Sequence, residues 1–319
     1  MQTKELKIGN VLLPSNVLLA PLAGYTNYAF RKTCLDYGAA LAFTEMVSAK
    51  GLFYKSENTR ELLYTVPEES PKAVQLFGND PSVMEWAAKS EDIAPFDIID
   101  VNMGCPVPKV YNNGEGSALL NDLPLAEKII RAVKKSGKTV TVKFRIGVHK
   151  DKIVTEEFAK MCEGAGADMI TIHGRTRDQM YAGTPDYAQI AKAKQAVRIP
   201  VIANGGVLSA EDADVLLSNT GADGIMVARG ALTNPHIFAE ITHNPVPYNR
   251  KELVRRQTEL LRTFADDRFT TVFMRKMAVF YLKGMRNAAQ YKDRLFRCNT
   301  PQEVLSCSDE IFACDELES

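Results

Sequence analysis

The sequence predicts an α/β protein built as a (β/α)8 TIM barrel. Two observations lead there. Eight short runs rich in β-branched and apolar residues recur along the first 230 residues, and amphipathic stretches with helix-type spacing separate them. A barrel of this kind typically takes about 250 residues.

The runs, in order, are VLLAP (17–21), LAFTEM (41–46), AVQLFG (73–78) and DIIDVN (97–102), then TVTVKFRIG (139–147), MITIHGRT (169–176), PVIANGG (200–206) and GIMVARG (224–230). Helices are expected between them. PLAEKIIRAVKKSG and VTEEFAKMCEGAG carry the spacing, and SAEDADVLLSNTG opens on a capping box, Ser209 to Asp212, and closes on Gly221. An open doubly wound sheet is the alternative. Its dinucleotide fingerprint is missing: Gly114 and Gly116 follow a loop rather than a strand and lack the third glycine.

With 319 residues, 45% hydrophobic and 24% charged, the chain can bury a full core and accommodate one large domain plus a small one. The N-terminus, MQTKELKIGN, is polar, and no run of about 18 apolar residues occurs, so no membrane span is expected and the cytoplasm is the expected compartment. Cys34, Cys105, Cys162, Cys298, Cys307 and Cys314 are scattered, as free thiols in a reducing compartment would be. The last three match no common metal pattern, and none of the four histidines is near them.

Net charge is zero but unevenly spread. Between Arg250 and Arg297 thirteen basic residues face five acidic ones, a local +8, and the following tail carries six acids without a Lys or Arg. Such a basic segment suits a polyanionic partner, although a solvated helical face has the same pattern.

Active sites of barrels form at the C-terminal ends of the strands, so polar residues there call for explanation. Those ends hold Pro21, Leu22 and Ala23, Glu45, Gln75, Asn102 with Cys105, Lys143 with Arg145, His173 with Arg175, Asn204-Gly205-Gly206, and Ala228-Arg229. The glycine pair after strand seven and Arg229 after strand eight lie where barrels commonly hold phosphate, because glycine lets backbone N–H groups approach the oxygens. Lys143 and His173 point the same way on neighbouring strands. A buried ammonium needs a partner, either a carboxylate such as Glu45 or a bound anion. In DVNMGCPVPKV, Cys105 stands on a Gly-Cys-Pro turn with no metal ligand at suitable spacing. A buried filler and a catalytic thiol both remain open.

APLAGYTNYAFR, FTEMVSAKG, VQLFGND, DVNMGCPVPKV, VKFRIG, TIHGRTRDQMYAG, PVIANGG and GIMVARGALTNPHIF occur in this order between about residues 17 and 238. Together they resemble the tRNA-dihydrouridine synthase family, in its bacterial B-like branch. Asn102-Met103-Gly104-Cys105-Pro106 with His173-Gly174-Arg175-Thr176 is the most specific part. Leu22, where Met is frequent, and Ala228, where Gly is frequent, depart slightly from the pattern.

The resemblance implies an FMN-binding barrel over residues 1–245 and a helical tRNA-binding domain with an acidic tail over 246–319. The implied reaction reduces a uridine of tRNA to 5,6-dihydrouridine with NADPH as reductant. FMN would contact Pro21, Leu22, Ala23, Gln75, Lys143, His173, Asn204, Gly205, Gly206, Ala228 and Arg229. Cys105 would be the acid that protonates C5, and Asn102, Arg145, Arg175 and Tyr181 would bind the substrate. Arg177 and Lys109 are further candidates for RNA contact, and the loop YNNGEGSALL for closure over it. No DNA, membrane or obligatory protein partner is expected. Two rival readings are an FMN enzyme acting on a free pyrimidine, similar to dihydroorotate dehydrogenases, and a non-catalytic RNA-binding or flavin-storage protein.

Overall fold

The computed structural model describes residues 3–318, with side chains as far as Ala313; those of Cys314, Asp315, Glu316 and Glu318 lie outside the described set. Eight parallel strands close into a barrel: β1 (Val17–Leu19), β2 (Leu41–Ser48), β3 (Ala73–Phe77), β4 (Ile98–Met103), β5 (Thr139–Arg145), β6 (Met169–His173), β7 (Val201–Asn204) and β8 (Gly224–Val227). They stand in chain order around the ring, and β8 pairs with β1. All eight expected runs are strands. Most end earlier than the run itself, because the glycines and prolines that follow turn the chain out of the sheet.

Alternation along each strand separates two cores. Val17, Leu19, Val74, Ile99, Val101, Val142, Phe144, Ile172 and Val201 face the surrounding helices. Leu18, Phe43, Ala73, Ile98, Met169, Ile202 and Met226 fill the interior. That interior is closed at its N-terminal end by Leu6, Ile8 and Leu13 of an antiparallel hairpin, Leu6–Ile8 with Val11–Leu13.

Two residues further up the same faces the side chains turn polar. Ala73 leads to Gln75, Ile98 to Asp100 and Asn102, Met169 to Thr171 and His173, and Ile202 to Asn204. The barrel is therefore packed below and functionalised above, and this change of chemistry locates the site.

The helices follow their sequence signals. In Ala210–Thr220 the Ser209 hydroxyl accepts from the Asp212 N–H (3.2 Å), Asp212 accepts in return from the Leu208 N–H (2.9 Å), and Gly221 ends the helix at φ +61°. Leu123–Lys134 is capped by Asp122 and buries Ala126, Ile129, Ile130 and Val133. Alternation is irregular between β2 and β3, where two short helices, Ala49–Phe53 and Glu57–Glu61, replace one long one.

A C-terminal helical region follows: Arg250–Leu261, Asp267–Tyr281, Ala288–Arg297 and Pro301–Glu318. It packs on the Tyr28–Asp36 helix, where Arg256 pairs with Asp36. Near the barrel mouth, Lys276 Nζ donates to the Gly24 carbonyl (2.7 Å) and lies over the Tyr25 ring. Among the described residues no helix is long and apolar enough to cross a membrane.

Candidate active site

Three strands supply a connected polar layer. Gln75 on β3, Asp100 on β4 and Thr141 on β5 are register partners. Gln75 Nε2 donates to Asp100 Oδ2 (2.7 Å), and the Thr141 hydroxyl donates to Oδ1 (2.6 Å). One step higher, Asn102 Nδ2 donates to Gln75 Oε1 (2.8 Å). Asn102 Oδ1 then accepts from the backbone N–H of Gly104 (3.1 Å) and Cys105 (2.9 Å). Asn102 thus holds the turn that presents the thiol.

That thiol is half-buried. Burial pushes its pKa up, outweighing the Val107 N–H and the cations Arg145 and Lys143 that pull it down, so Cys105 is a protonated thiol at neutral pH. The YNNGEGSALL segment is packed against it: Ser117 donates from its N–H (3.1 Å) and hydroxyl (2.8 Å) to the Cys105 carbonyl, and Gly116–Asn121 forms a short 3-10 helix.

Across the mouth Lys143 Nζ donates to Asn204 Oδ1 (3.1 Å), while Asn204 Nδ2 donates to the Met226 carbonyl (2.7 Å). Burial, reinforced by Arg145, lowers the Lys143 pKa to about 8; Asp100 and Cys105 oppose this only in part. Glu45 is not its partner, since that carboxylate accepts from the Gly24 N–H and faces Lys276.

His173 is buried, and its pKa falls well below the usual histidine range, through burial and then through Arg145, Lys143, Arg175 and Arg229 around it. It is neutral. A guanidinium can only donate, so the Arg175 contact to Nε2 (3.4 Å) leaves the ring proton on Nδ1. A Cβ on Gly205 would lie 2.8 Å from His173 Cδ2, and φ is +121° there and +87° at Gly206. Only glycine keeps this cradle open beneath the imidazole. Among the described residues nothing accepts from the N–H of Gly205, Gly206 or Ala228. Free N–H groups beside four cations fit an anion such as a phosphate.

Several expected ligand contacts are occupied within the protein. Arg145 donates from Nε to the Gly104 carbonyl and from one terminal nitrogen to the Thr176 and Met180 carbonyls, each at 2.9 Å, so only its other terminal nitrogen is available. Burial, with Arg175 and Arg229 nearby, lowers its pKa to about 10. Arg175 is tied to the Ala182 and Gly183 carbonyls. Leu22 uses its N–H on Thr26 Oγ1 (3.0 Å) and its carbonyl on the Tyr25 and Thr26 N–H groups, which leaves Pro21 and Ala23 at the rim. Gln75 retains one free N–H. Tyr181 is half exposed, with Arg229 4.7 Å and Arg145 5.8 Å from its ring centre. Arg177 stacks on Tyr111 (4.1 Å), and Lys109 is exposed beyond the cysteine turn.

Two site residues escaped the sequence reading. Asp100 carries a signal in hindsight, being an acid inside a strand that is buried throughout. Arg31 pairs with Glu69 in the core and donates to the Thr26 carbonyl (2.9 Å), bracing the β1 loop, and no local pattern announces so distant a partner.

A family model described as dihydrouridine synthase (Dus) matches residues 18–316. The chain belongs to the dihydrouridine synthase family. It is 37% identical over 324 residues to the probable tRNA-dihydrouridine synthase 1 of Synechocystis sp., covering 98% of this chain and 91% of that one. It is 35% identical to tRNA-dihydrouridine synthase B of Pseudomonas aeruginosa, covering 96% of each. With the Vibrio parahaemolyticus synthase B, at 36% over 90% of this chain and 92% of its own, these relatives place it in the bacterial B-like branch. Among solved structures the barrel is similar to a variant of NCR from Zymomonas mobilis (TM-score 0.55, 16% identity, 77% of this chain and 92% of that one). It is also similar to histamine dehydrogenase from Rhizobium sp. 4-9 (TM-score 0.57, 13% identity, 82% and 50%). At such identities the likeness concerns the fold.

Proposed function

We propose that the protein reduces specific uridines of tRNA to 5,6-dihydrouridine, with FMN in the barrel mouth and NADPH as reductant. One observation carries this reading beyond family membership: Lys143, Arg145, Arg175 and Arg229 converge on a neutral His173 beside unpaired backbone N–H groups, within reach of a protonated thiol. Such a mouth takes a phosphorylated cofactor and a polyanionic substrate together.

The residues fit FMN. Gly205, Gly206 and Ala228 offer N–H groups to its phosphate, with Arg229 as counter-charge, and His173 can donate from Nδ1. Pro21, Ala23 and the spare N–H of Gln75 border the space for the ring, with Lys143 supplying positive charge and Asn204 orienting Lys143. Bound there, reduced FMN would supply the hydride for C6 of the uracil.

The chain does the rest. A base must leave its stack to enter the mouth, and Tyr181, exposed and flanked by Arg145 and Arg229, offers a stacking surface at the entrance. The second amide N–H of Asn102 and the free nitrogen of Arg145 can meet the uracil edge. Cys105 donates its proton to C5, for which a thiol held protonated is suited without further tuning. The +8 stretch of the C-terminal helices, residues 250–297, provides the remaining RNA contacts as a tRNA-binding domain.

The rival that acts on a free pyrimidine leaves this basic stretch without a role. The experiment that separates them mixes NADPH-reduced protein anaerobically with unmodified tRNA or with a pyrimidine carboxylic acid. Oxidation of the flavin by tRNA, with dihydrouridine found in the product by mass mapping, is expected; oxidation by the small acid alone would overturn the reading. A non-catalytic RNA-binding or storage protein would oxidise with neither.

A further inference from the structure

Asp100 is 1% exposed and lies level with Gln75 and Thr141, one step below Asn102 and Lys143, so it does not reach solvent. Its bonds have a direction. A carboxylate accepts and cannot donate. Asp100 Oδ2 therefore requires the nitrogen end of the Gln75 amide, and the bond at 2.7 Å fixes Gln75 Oε1 on the opposite side. Oε1 in turn requires the nitrogen end of Asn102 (2.8 Å), which fixes Asn102 Oδ1 toward the Gly104 and Cys105 N–H groups. Were Gln75 reversed, its oxygen would face the Asp100 carboxylate and its N–H groups the Asn102 N–H; were Asn102 reversed, its N–H groups would face the donors of the cysteine turn. Burial raises the Asp100 pKa to about 6, against Gln75, Thr141 and Lys143, so at neutral pH it remains mainly an acceptor.

We propose that Asp100 is a positioning residue for Cys105, acting through Gln75 and Asn102 by setting the direction of a donor–acceptor chain that ends on the cysteine turn. The role of Cys105 as proton donor rests on the function proposed above; the chain of bonds itself does not. Both Gln75 and Asn102 keep one further N–H directed by the same anchor, so Asp100 also decides which end of each amide a ligand meets.

The test uses the full-length protein and reads hydrogen exchange of the Cys105 amide and alkylation of its thiol, followed on the peptide that contains it. Asp100→Leu keeps the branching at Cγ and removes the acceptor. It should speed amide exchange at Cys105 by about tenfold or more, as expected for loss of one directed hydrogen bond. Asp100→Asn keeps an oxygen for Gln75 while the Thr141 hydroxyl can accept its amide, so exchange should return to within about threefold of the parent.

Gln75→Met cuts the chain in its middle without touching Cys105. It should produce the same acceleration, and the Asp100→Leu/Gln75→Met pair should add nothing further, since both break one chain. Unchanged exchange in Gln75→Met, or additive effects in the pair, would overturn the proposal; Gln75→Met carries the test if Asp100→Leu does not fold. In turnover the Asp100→Leu protein should lose kcat with little change in KM for tRNA. Faster exchange with undiminished kcat would leave the positioning intact and instead remove Cys105 from the chemistry.

Discussion

Lys143 on β5 reaches past β6 to Asn204 on β7, its ammonium donating to the amide oxygen at 3.1 Å, and among the described residues no carboxylate forms an ion pair with it. The cation is paired to a dipole and left to attract a ligand's charge. Burial moves its pKa from 10.5 down to about 8. The ammonium is therefore present below about pH 8 and lost above it. FMN affinity, followed by fluorescence quenching, should weaken by about threefold or more between pH 7 and 9, and Lys143→Gln should be weaker at pH 7 with that limb flattened. A depressed lysine pKa also costs stability below about pH 8, a cost relieved as pH rises toward 10.5. Lys143→Met should thus raise the melting temperature at neutral pH; a lower one would contradict the assigned strain.

The glycine under His173 gives a second prediction. Gly205→Ala would place a methyl 2.8 Å from the imidazole at φ +121°, where L side chains are strained. The fold should lose about 1–3 kcal/mol in denaturant titration. More tellingly, the purified protein should hold much less FMN than the parent, since the methyl enters the cradle between His173 and the free N–H groups. Full occupancy would show that the phosphate lies elsewhere.

Arg31 yields a third. Buried with Glu69, it donates to the carboxylate and to the Thr26 and Tyr64 carbonyls at 2.9 Å. Removing one member of such a pair strands the other without water, which typically costs about 3–5 kcal/mol. Arg31→Met should lower stability on that scale, whereas Arg31→Met with Glu69→Gln should recover part of it. Equal losses in the single and double variants would mean that the carboxylate is not stranded.

Much of this architecture was legible in the sequence because strand alternation and helix caps are local. The eight runs, the Ser209 cap and the Gly221 stop depend on neighbours within a few residues. The rim was legible too, since Asn102, Lys143, His173 and Asn204 are polar where an apolar residue would otherwise stand. What stayed hidden depends on partners far along the chain. Arg145 reads as a ligand-binding cation, yet most of its donors tie the Gly104 carbonyl to the Thr176–Met180 loop. Gln75 reads as a flavin contact, yet two of its polar valences serve Asp100 and Asn102. Arg31 and Glu69 lie 38 positions apart and share no motif.

Cys105→Ala leaves the glycine cradle, Lys143 and the Asn102 amide in place, so FMN binding and reduction by NADPH should match the parent. Proton delivery to C5 should fail, at a cost of about 100-fold or more in rate. The deciding measurement is anaerobic stopped-flow of NADPH-reduced protein against unmodified tRNA, parent beside Cys105→Ala. Rapid flavin oxidation with dihydrouridine formed in the parent, and oxidation slowed by that factor in the variant at equal FMN content, is the expected result; equal rates in the two proteins would contradict it.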